Sequence, residues 1–582
     1  MDEQTKGNSV SSLQWPDYLV IGVMLSISAS IGIYYRFTGG RQRTVEEYFS
    51  ADRSMSTVTL AIALTVSIVS AVSLLGVSAE NYAHGTQFTL VYFGFLFGAP
   101  ITIFFYFPVF IELKTMSVYE YLEKRFGVKA RLLTSLANSL HLVLFTGVVL
   151  FAPSLALEAT TGLSGNMSVL AIGIICTFYS TIGGIKAVLI TDVFQCMLMF
   201  GGIACVLGVA ANELDGGLSN VWNIAQKGER IEFFNFRFDP TIRHTWWSMM
   251  FGGIALFLSY NAVNQIQVQR LLAAKSVRVS RNALLLSTPM TMGLGILTSY
   301  TGLVLYTVYK DCDPVTAGQI SSFDKIMPFF AAEKMSKFPG TIGVFVSGVF
   351  SATLSTISAV LNSLAAVALE DYVKPACRRL GVHFPDEKAT LIGKVLAVMI
   401  GFISLAMAYL AKSMGGLVET ALGVSGAIAG PVVGIFTLGM FIESANETGS
   451  LVGMITALSV TLWAMFGKSK PIIPNLPLSI DGCDESALHN YQKVSESTNA
   501  TETSPEFYLY RISYMWYSPL GLVITLIVGY IMSLATKRIF HKNTPEPDPN
   551  LFIPLLASRI RRRRRDAEKT TNSQLFVLEN RR

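Results

Sequence analysis

Apolar stretches of about 20 residues recur along this chain from Trp15 to Ser533. A bilayer's hydrocarbon core is about 30 Å thick and takes about 20 helical residues to cross. Lipid offers the backbone no hydrogen-bond partners, so repeated stretches of this kind can only be helices that satisfy themselves. About 13 spans are expected, near 16–37, 56–82, 88–111, 131–160, 165–184, 190–212, 247–268, 283–309, 339–370, 391–412, 415–442, 447–467 and 513–535. Charged residues make up 14% of the 582, where a soluble chain would carry roughly a quarter. The N-terminus is polar and has no basic stretch, so the first run, Tyr18–Tyr35, reads as a span and not as a cleaved signal. The expected fold class is an all-α polytopic membrane protein.

Charge placement orients it. The tail beyond Ala535 holds twelve Lys or Arg against five Asp or Glu, including the run Arg561–Arg565. By the positive-inside rule this tail is cytosolic, and an odd number of spans leaves the N-terminus outside. The basic loops Lys114–Arg131 and Arg270–Arg281 fall inside, and the acidic Asp481–Glu506 falls outside. The expected organisation is an extracellular N-terminus (1–15), a transmembrane core with a first flanking helix (16–467), an extracellular loop (468–512), a last helix (513–535) and a cytosolic basic tail (536–582). Asn499 opens a glycosylation sequon in that long external loop. The sequon at Asn446 falls inside, and that at Asn166 hugs the membrane. Only Cys312 and Cys483, of six cysteines, fall in external loops; they can pair as a disulfide or remain two thiols. Beyond His541 the tail is expected to lack fixed structure, its Arg run serving as a topology anchor or a contact for anionic lipid. The net charge of +6 sits in loops and tail and gives no reason to expect nucleic acid.

The chemistry lies in polar groups inside apolar spans. In Ser347–Ala368, Ser351, Ser355, Ser358 and Asn362 fall on one helical stripe, with Ala352, Thr356, Ala359 and Ser363 beside it. Such a stripe faces protein, water or an ion. Closely set neutral oxygens suit a small monovalent cation, although helix packing also uses hydroxyl residues. The second span carries Ser67, Ser70 and Ser73, followed by Gly76, and reads as a broken helix whose freed carbonyls can bind a cation. The seventh carries Tyr260, Asn261, Asn264, Gln265, Gln267 and Gln269. Each of these two interrupted helices opens a set of five spans, the pattern of an inverted repeat with a site between its halves. Asp192 stands nearly alone as an intramembrane charge, at the cytosolic start of the sixth span, where it can guide a departing cation or simply suit the helix dipole. Proton pumping is disfavoured by the lack of buried acid chains, ATP drive by the lack of a Walker motif, and a pore by the lack of a filter loop.

The strings SAVSLLGVSAENYAHG, SVYEYLEKRFG, GVVLFAPSLAL, ICTFYSTIGGIKAVLITDVFQ, NAVNQIQVQR, DCDP and SATLSTISAVLNSLAAVALEDYVKP resemble the sodium/solute symporter family over about 45–470. The likeness is greatest to the animal branch of sodium-coupled monocarboxylate, sodium/multivitamin and sodium/iodide transporters. The resemblance implies a LeuT-type five-plus-five inverted repeat and a sodium site at Val66, Val69 and Ala352 (carbonyls) with Ser355 and Thr356 (hydroxyls). It places Asp192 near the sodium exit, and Ser73, Phe95, Phe145, Tyr260 and Asn264 around the solute. Iodide-transporting members carry glutamine at the Ser73 and Phe95 positions and tyrosine at Phe145, and the sugar branch carries charged and amide groups there. The departures disfavour iodide and hexose and favour a monocarboxylate or vitamin carboxylate, although the pocket offers no cation to pair it. Sodium is thus the expected coupling ion, the plasma membrane the expected location and enzymatic activity is not expected. A non-transporting sensor on the same fold remains the alternative, as does symport of an inorganic anion or polyol. Nothing in the sequence specifies an oligomeric state.

Overall fold

The computed structural model describes residues 13–38, 55–113, 117–381, 386–412, 415–467, 475–483, 507–540 and 548–579. Asn499 lies outside them. Among the described residues no strand forms, and ten helices are long and apolar enough to cross a membrane, or 11 with one bent pair counted as a span. The main helices, in chain order, begin with α1 (Trp15–Thr38). The bent pair follows, α2 (Thr57–Ile68) and α3 (Val72–His84), then α4 (Thr86–Leu113), α5 (Val128–Thr161) and α6 (Gly165–Glu213). An interrupted segment comes next: α7 (Trp246–Phe257), a wide π turn over Leu258–Ala262, and α8 (Gln265–Leu272). Then come α9 (Val277–Val308), α10 (Thr341–Arg379), α11 (Asp386–Ala411), α12 (Leu417–Phe441), α13 (Glu447–Phe466), α14 (Tyr517–Phe540) and α15 (Pro554–Glu579).

Two expected spans share one helical run. At 1.5 Å per residue, the 49 residues of α6 would reach about 74 Å, more than twice the hydrocarbon thickness. The Tyr179 hydroxyl nevertheless donates to Thr191 Oγ1 at 2.5 Å. In a straight helix twelve residues would put their Cα atoms about 18 Å apart, so the run turns back between them; its arm Ala187–Glu213 is long enough to cross a membrane, and Gly165–Thr181 is a shorter apolar helix.

The bend between α2 and α3 is 65°. Local hydroxyls offer the backbone alternatives to helical bonds there. Ser67 Oγ donates to the Leu64 carbonyl at 2.9 Å, and the Ser70 N–H turns to Ser73 Oγ at 3.3 Å. Val69 leaves helical geometry, with φ −83° and ψ 104°. The α7–α8 interruption lies alongside: Gln267 Nε2 donates to the Leu64 carbonyl (3.2 Å) and to Ser67 Oγ (3.0 Å). Close helix approach relies on glycine. A Cβ on Gly253 of α7 would sit 2.4 Å from the Val91 carbonyl of α4, and one on Gly94 would sit 2.8 Å from Gly253 Cα. The helix α10 is the central strut, buried without interruption from Phe345 to Val367. Asp17 of α1 holds its start, accepting from the Gly343 N–H at 2.8 Å.

The tail is more ordered than its charge suggested. Leu551, Phe552, Ile553, Ala557 and Ile560 are buried. Tyr121 donates to the Leu551 carbonyl (3.1 Å), the Ile553 N–H to the Met440 carbonyl (3.2 Å), and the Arg125 guanidinium lies 4.8 Å from the Phe552 ring centre. The apolar residues at helical spacing give the basic helix a face to bury, which corrects the expectation of an unstructured tail from 548 onward.

Candidate functional site

Helix α2 closes with the Val69 N–H on the Thr65 carbonyl at 3.1 Å. The carbonyls of its last turn, including Val66 and Val69, are the ones a helix end leaves open. Across from them α10 brings its hydroxyl stripes into the fully buried interior. Thr356 Oγ1 is buried with no hydrogen-bond partner, as are the hydroxyls of Ser351 and Ser363. An unpartnered buried hydroxyl costs about 1–3 kcal/mol, so these oxygens are poised for a ligand. Ser355 Oγ donates to Asp192 Oδ1 at 2.8 Å, and Asp192 Oδ2 meets Arg270 Nη1 at 2.5 Å. The same Arg270 nitrogen reaches the Ala63 carbonyl of α2 at 2.8 Å. Four elements thus meet: the Ala63 carbonyl of α2, the acid of α6, the cation of α8 and the hydroxyl of α10. Asp192 is wholly buried and Arg270 nearly so. A basic residue at a span boundary reads from sequence as loop charge, which is why Arg270 went unrecognised; a lone buried acid demanding a counter-ion was the available signal.

A cavity opens beside the α2–α3 break. Ser73, Phe95, Phe145 and Tyr260 all line it, with Val69, Ser70, Val77, Phe88, Tyr92, Thr291, Thr298, Val418 and Leu422. Asn264 does not reach the wall; its Oδ1 accepts from the Ile266 N–H at 2.9 Å and caps α8. The wall carries hydroxyls and aromatic faces but no charge. Val69 belongs both to this wall and to the open end of α2.

Beside the α3 and α12 walls of the cavity, next to Val77 and Val418, stands a second ion cluster. Arg243 Nε and Nη2 grip both oxygens of Glu80 at 2.6 and 3.0 Å, while Nη1 reaches Glu419 of α12 at 2.9 Å. His244 Nε2 lies 3.0 Å from Glu80 and 3.0 Å from the Tyr514 hydroxyl. Asp324 caps α12 through the Leu417 N–H at 2.9 Å, and burial pushes its carboxyl up to about 6. On the same side Cys312 and Cys483 are bonded, with Cα atoms 4.9 Å apart.

Residues 48–457 match the family described as the sodium:solute symporter family. A Drosophila melanogaster relative, provisionally named a sodium-dependent multivitamin transporter, is 44% identical over 94% of this chain and 92% of its own length. The human sodium-coupled monocarboxylate transporter 1 is 38% identical, over 89% of this chain and 87% of its own. A solved structure described as a substrate-bound outward-open Na+-coupled sialic acid symporter superposes with TM-score 0.74 at 23% identity, covering 90% of this chain and 98% of that one.

Proposed function

The chain belongs to the sodium:solute symporter family and is coupled to sodium, and from that premise we propose that it carries a small monocarboxylate or vitamin carboxylate across the plasma membrane by alternating access. The names of its animal relatives support the carboxylate, and the uncharged wall at Ser73, Phe95, Phe145 and Tyr260 suits a small, partly apolar solute.

Sodium is held between the open end of α2 and α10 by the carbonyls of Val66, Val69 and Ala352 and the hydroxyls of Ser355 and Thr356. The partnerless Thr356 Oγ1 is the observation that carries this assignment. Ser355 can serve while it donates to Asp192, because donation leaves its lone pairs free and makes the oxygen more electron-rich. Arg270 offsets the charge of Asp192, so the exit is lined by an acid that attracts sodium without trapping it. Sodium bound at Val69 also places a positive charge against the cavity wall, the pairing cation that the wall lacks.

The α3 end, with its disulfide, faces outside, and the basic tail faces the cytosol. The N-terminus is then external and Asn499 available for glycosylation. Binding of sodium favours the solute-competent state, the Glu80–Arg243–Glu419 side closes, and the Asp192–Arg270 side then opens. Uptake of labelled pyruvate, butyrate, biotin, pantothenate and myo-inositol, in sodium and with choline in its place, tests the function. Carboxylate uptake that requires sodium is expected. Carboxylate uptake equal in choline, or sodium-dependent uptake of myo-inositol alone, overturns the proposal.

A further inference from the structure

We propose that Arg243 is the first docking cation for the substrate's carboxylate, and that Glu419 takes over the same edge of the guanidinium as the cavity closes. The inference rests on the carboxylate reading above.

Moving a carboxylate from water into an uncharged cavity is costly unless a counter-charge accompanies it. Arg243 stands beside the α3 and α12 walls of the cavity. Glu80, which it grips, lies one helical turn beyond the wall residue Val77, and Glu419 adjoins the wall residue Val418. Phe88 lines the cavity and packs on His244, with ring centres 5.8 Å apart.

The two carboxylates on Arg243 are not equivalent. Glu80 is bound through both oxygens, is further held by His244 and Tyr514, and has a side chain only 7% exposed. It is a fixed counter-ion. Glu419 makes a single contact, to Nη1, and its side chain is 35% exposed. It also rides on the first turn of α12, which supplies one wall of the cavity through Val418 and Leu422. Opening that wall carries Glu419 away and leaves Nη1 free beside the cavity. A substrate carboxylate has the same shape and charge as the group that left, and the planar guanidinium binds either. As α12 returns, Glu419 competes for Nη1 and releases the substrate inward, toward Ser70, Ser73 and the sodium beyond.

The exchange separates the two residues experimentally. Labelled butyrate uptake at saturating sodium is measured over a range of butyrate concentrations for wild type, Glu419→Gln, Arg243→Lys and Arg243→Gln, each normalised to surface protein. Without its competitor the guanidinium holds substrate longer, so Glu419→Gln lowers KM about fivefold and lowers Vmax, the worth of a charge-assisted contact partly screened by water. Arg243→Gln raises KM by about tenfold, and Arg243→Lys, which keeps the charge but loses the fork, falls between. Sodium half-saturation, read from a separate sodium titration at saturating butyrate, stays within about twofold in all three, because the exchange touches no proposed sodium ligand. A bridge that merely held α3 and α12 together would shift KM in one direction in both Glu419→Gln and Arg243→Gln, and that result overturns the proposal. Should Arg243→Gln fail to reach the surface, an unchanged or raised KM in Glu419→Gln is by itself enough to overturn it. A wild type that takes up no carboxylate of any kind defeats the substrate reading first, and is recognised before any variant is measured.

Discussion

At the scale of single residues, the proposed sodium site rests on which buried polar groups have partners. Thr356 Oγ1 has none, while Ser355 is engaged by Asp192. Replacing Thr356 with Val removes an oxygen that nothing in the protein uses, so folding is expected to be retained while half-saturating sodium rises several-fold; sodium titration of uptake measures it. Thr356→Val with a wild-type sodium response would remove Thr356 from the ligand set. Arg270 behaves differently. Arg270→Gln leaves the Asp192 carboxylate buried and unpaired, and breaking such a pair costs about 3–5 kcal/mol. Loss of surface protein is expected, with partial recovery in the Arg270→Gln, Asp192→Asn double variant, read by surface labelling. No recovery would mean that the two groups do not act as a pair. The burial of the adjacent stripes that carry Ser355 and Thr356 was legible in the sequence, because helical spacing within one apolar segment sets them. Arg270 and Arg243 were not, since each acquires its meaning from an acid many residues away.

At the scale of elements, interruptions were legible and crossings were not. Hydroxyls clustered near Gly76 and amides near Asn264 mark where helices stop, because those side chains compete locally for the backbone. The crossing of α4 and α7 depends on Gly94 facing Gly253, a match between two distant segments. Gly253→Val must separate these helices, for its Cβ alone would lie 2.4 Å from a backbone carbonyl. Severe loss of folded protein is expected, measured as the monodisperse fraction in mild detergent after purification. Gly208 serves as the control, with nothing within 4 Å of a Cβ placed there. Similar yields for Gly253→Val and Gly208→Val would show that the crossing tolerates separation. The tail helix was missed for a related reason. Its charge dominates its composition, whereas its placement depends on a few apolar residues meeting Tyr121, Arg125 and Met440.

At the scale of the whole molecule, two buried ion clusters stand on different sides of one cavity, Asp192–Arg270 beside α2 and Glu80–Arg243–Glu419 beside α3, and a strap ties down the α3 side. Residues 475–483 bond to three parts of the protein: the Leu476 N–H to the Ala83 carbonyl of α3 (3.2 Å), the Pro477 carbonyl to Arg230 Nη2 (2.9 Å), and the Ser479 carbonyl to the Asp313 N–H (2.9 Å). Asp313 in turn accepts from Tyr82 of α3 at 2.7 Å. The Cys312–Cys483 bond ties this strap to the loop after α9 across a sequence separation of 171 residues. Disulfides typically contribute about 2–4 kcal/mol, and the loop-entropy relation puts a loop this long at about 5 kcal/mol. Cys483→Ser is therefore expected to lower the unfolding temperature of the purified protein. It is also expected to slow transport, because the end of α3 that bears Glu80 loses its tether. The same bond tests orientation. A membrane-impermeant phosphine added to intact cells should reproduce the transport defect in wild type and add nothing to Cys483→Ser. If the reagent acts only after the membrane is made permeable, the disulfide and the Glu80–Arg243–Glu419 closure lie on the cytosolic side. The direction of sodium-driven transport assigned to the two closures would then have to be reversed.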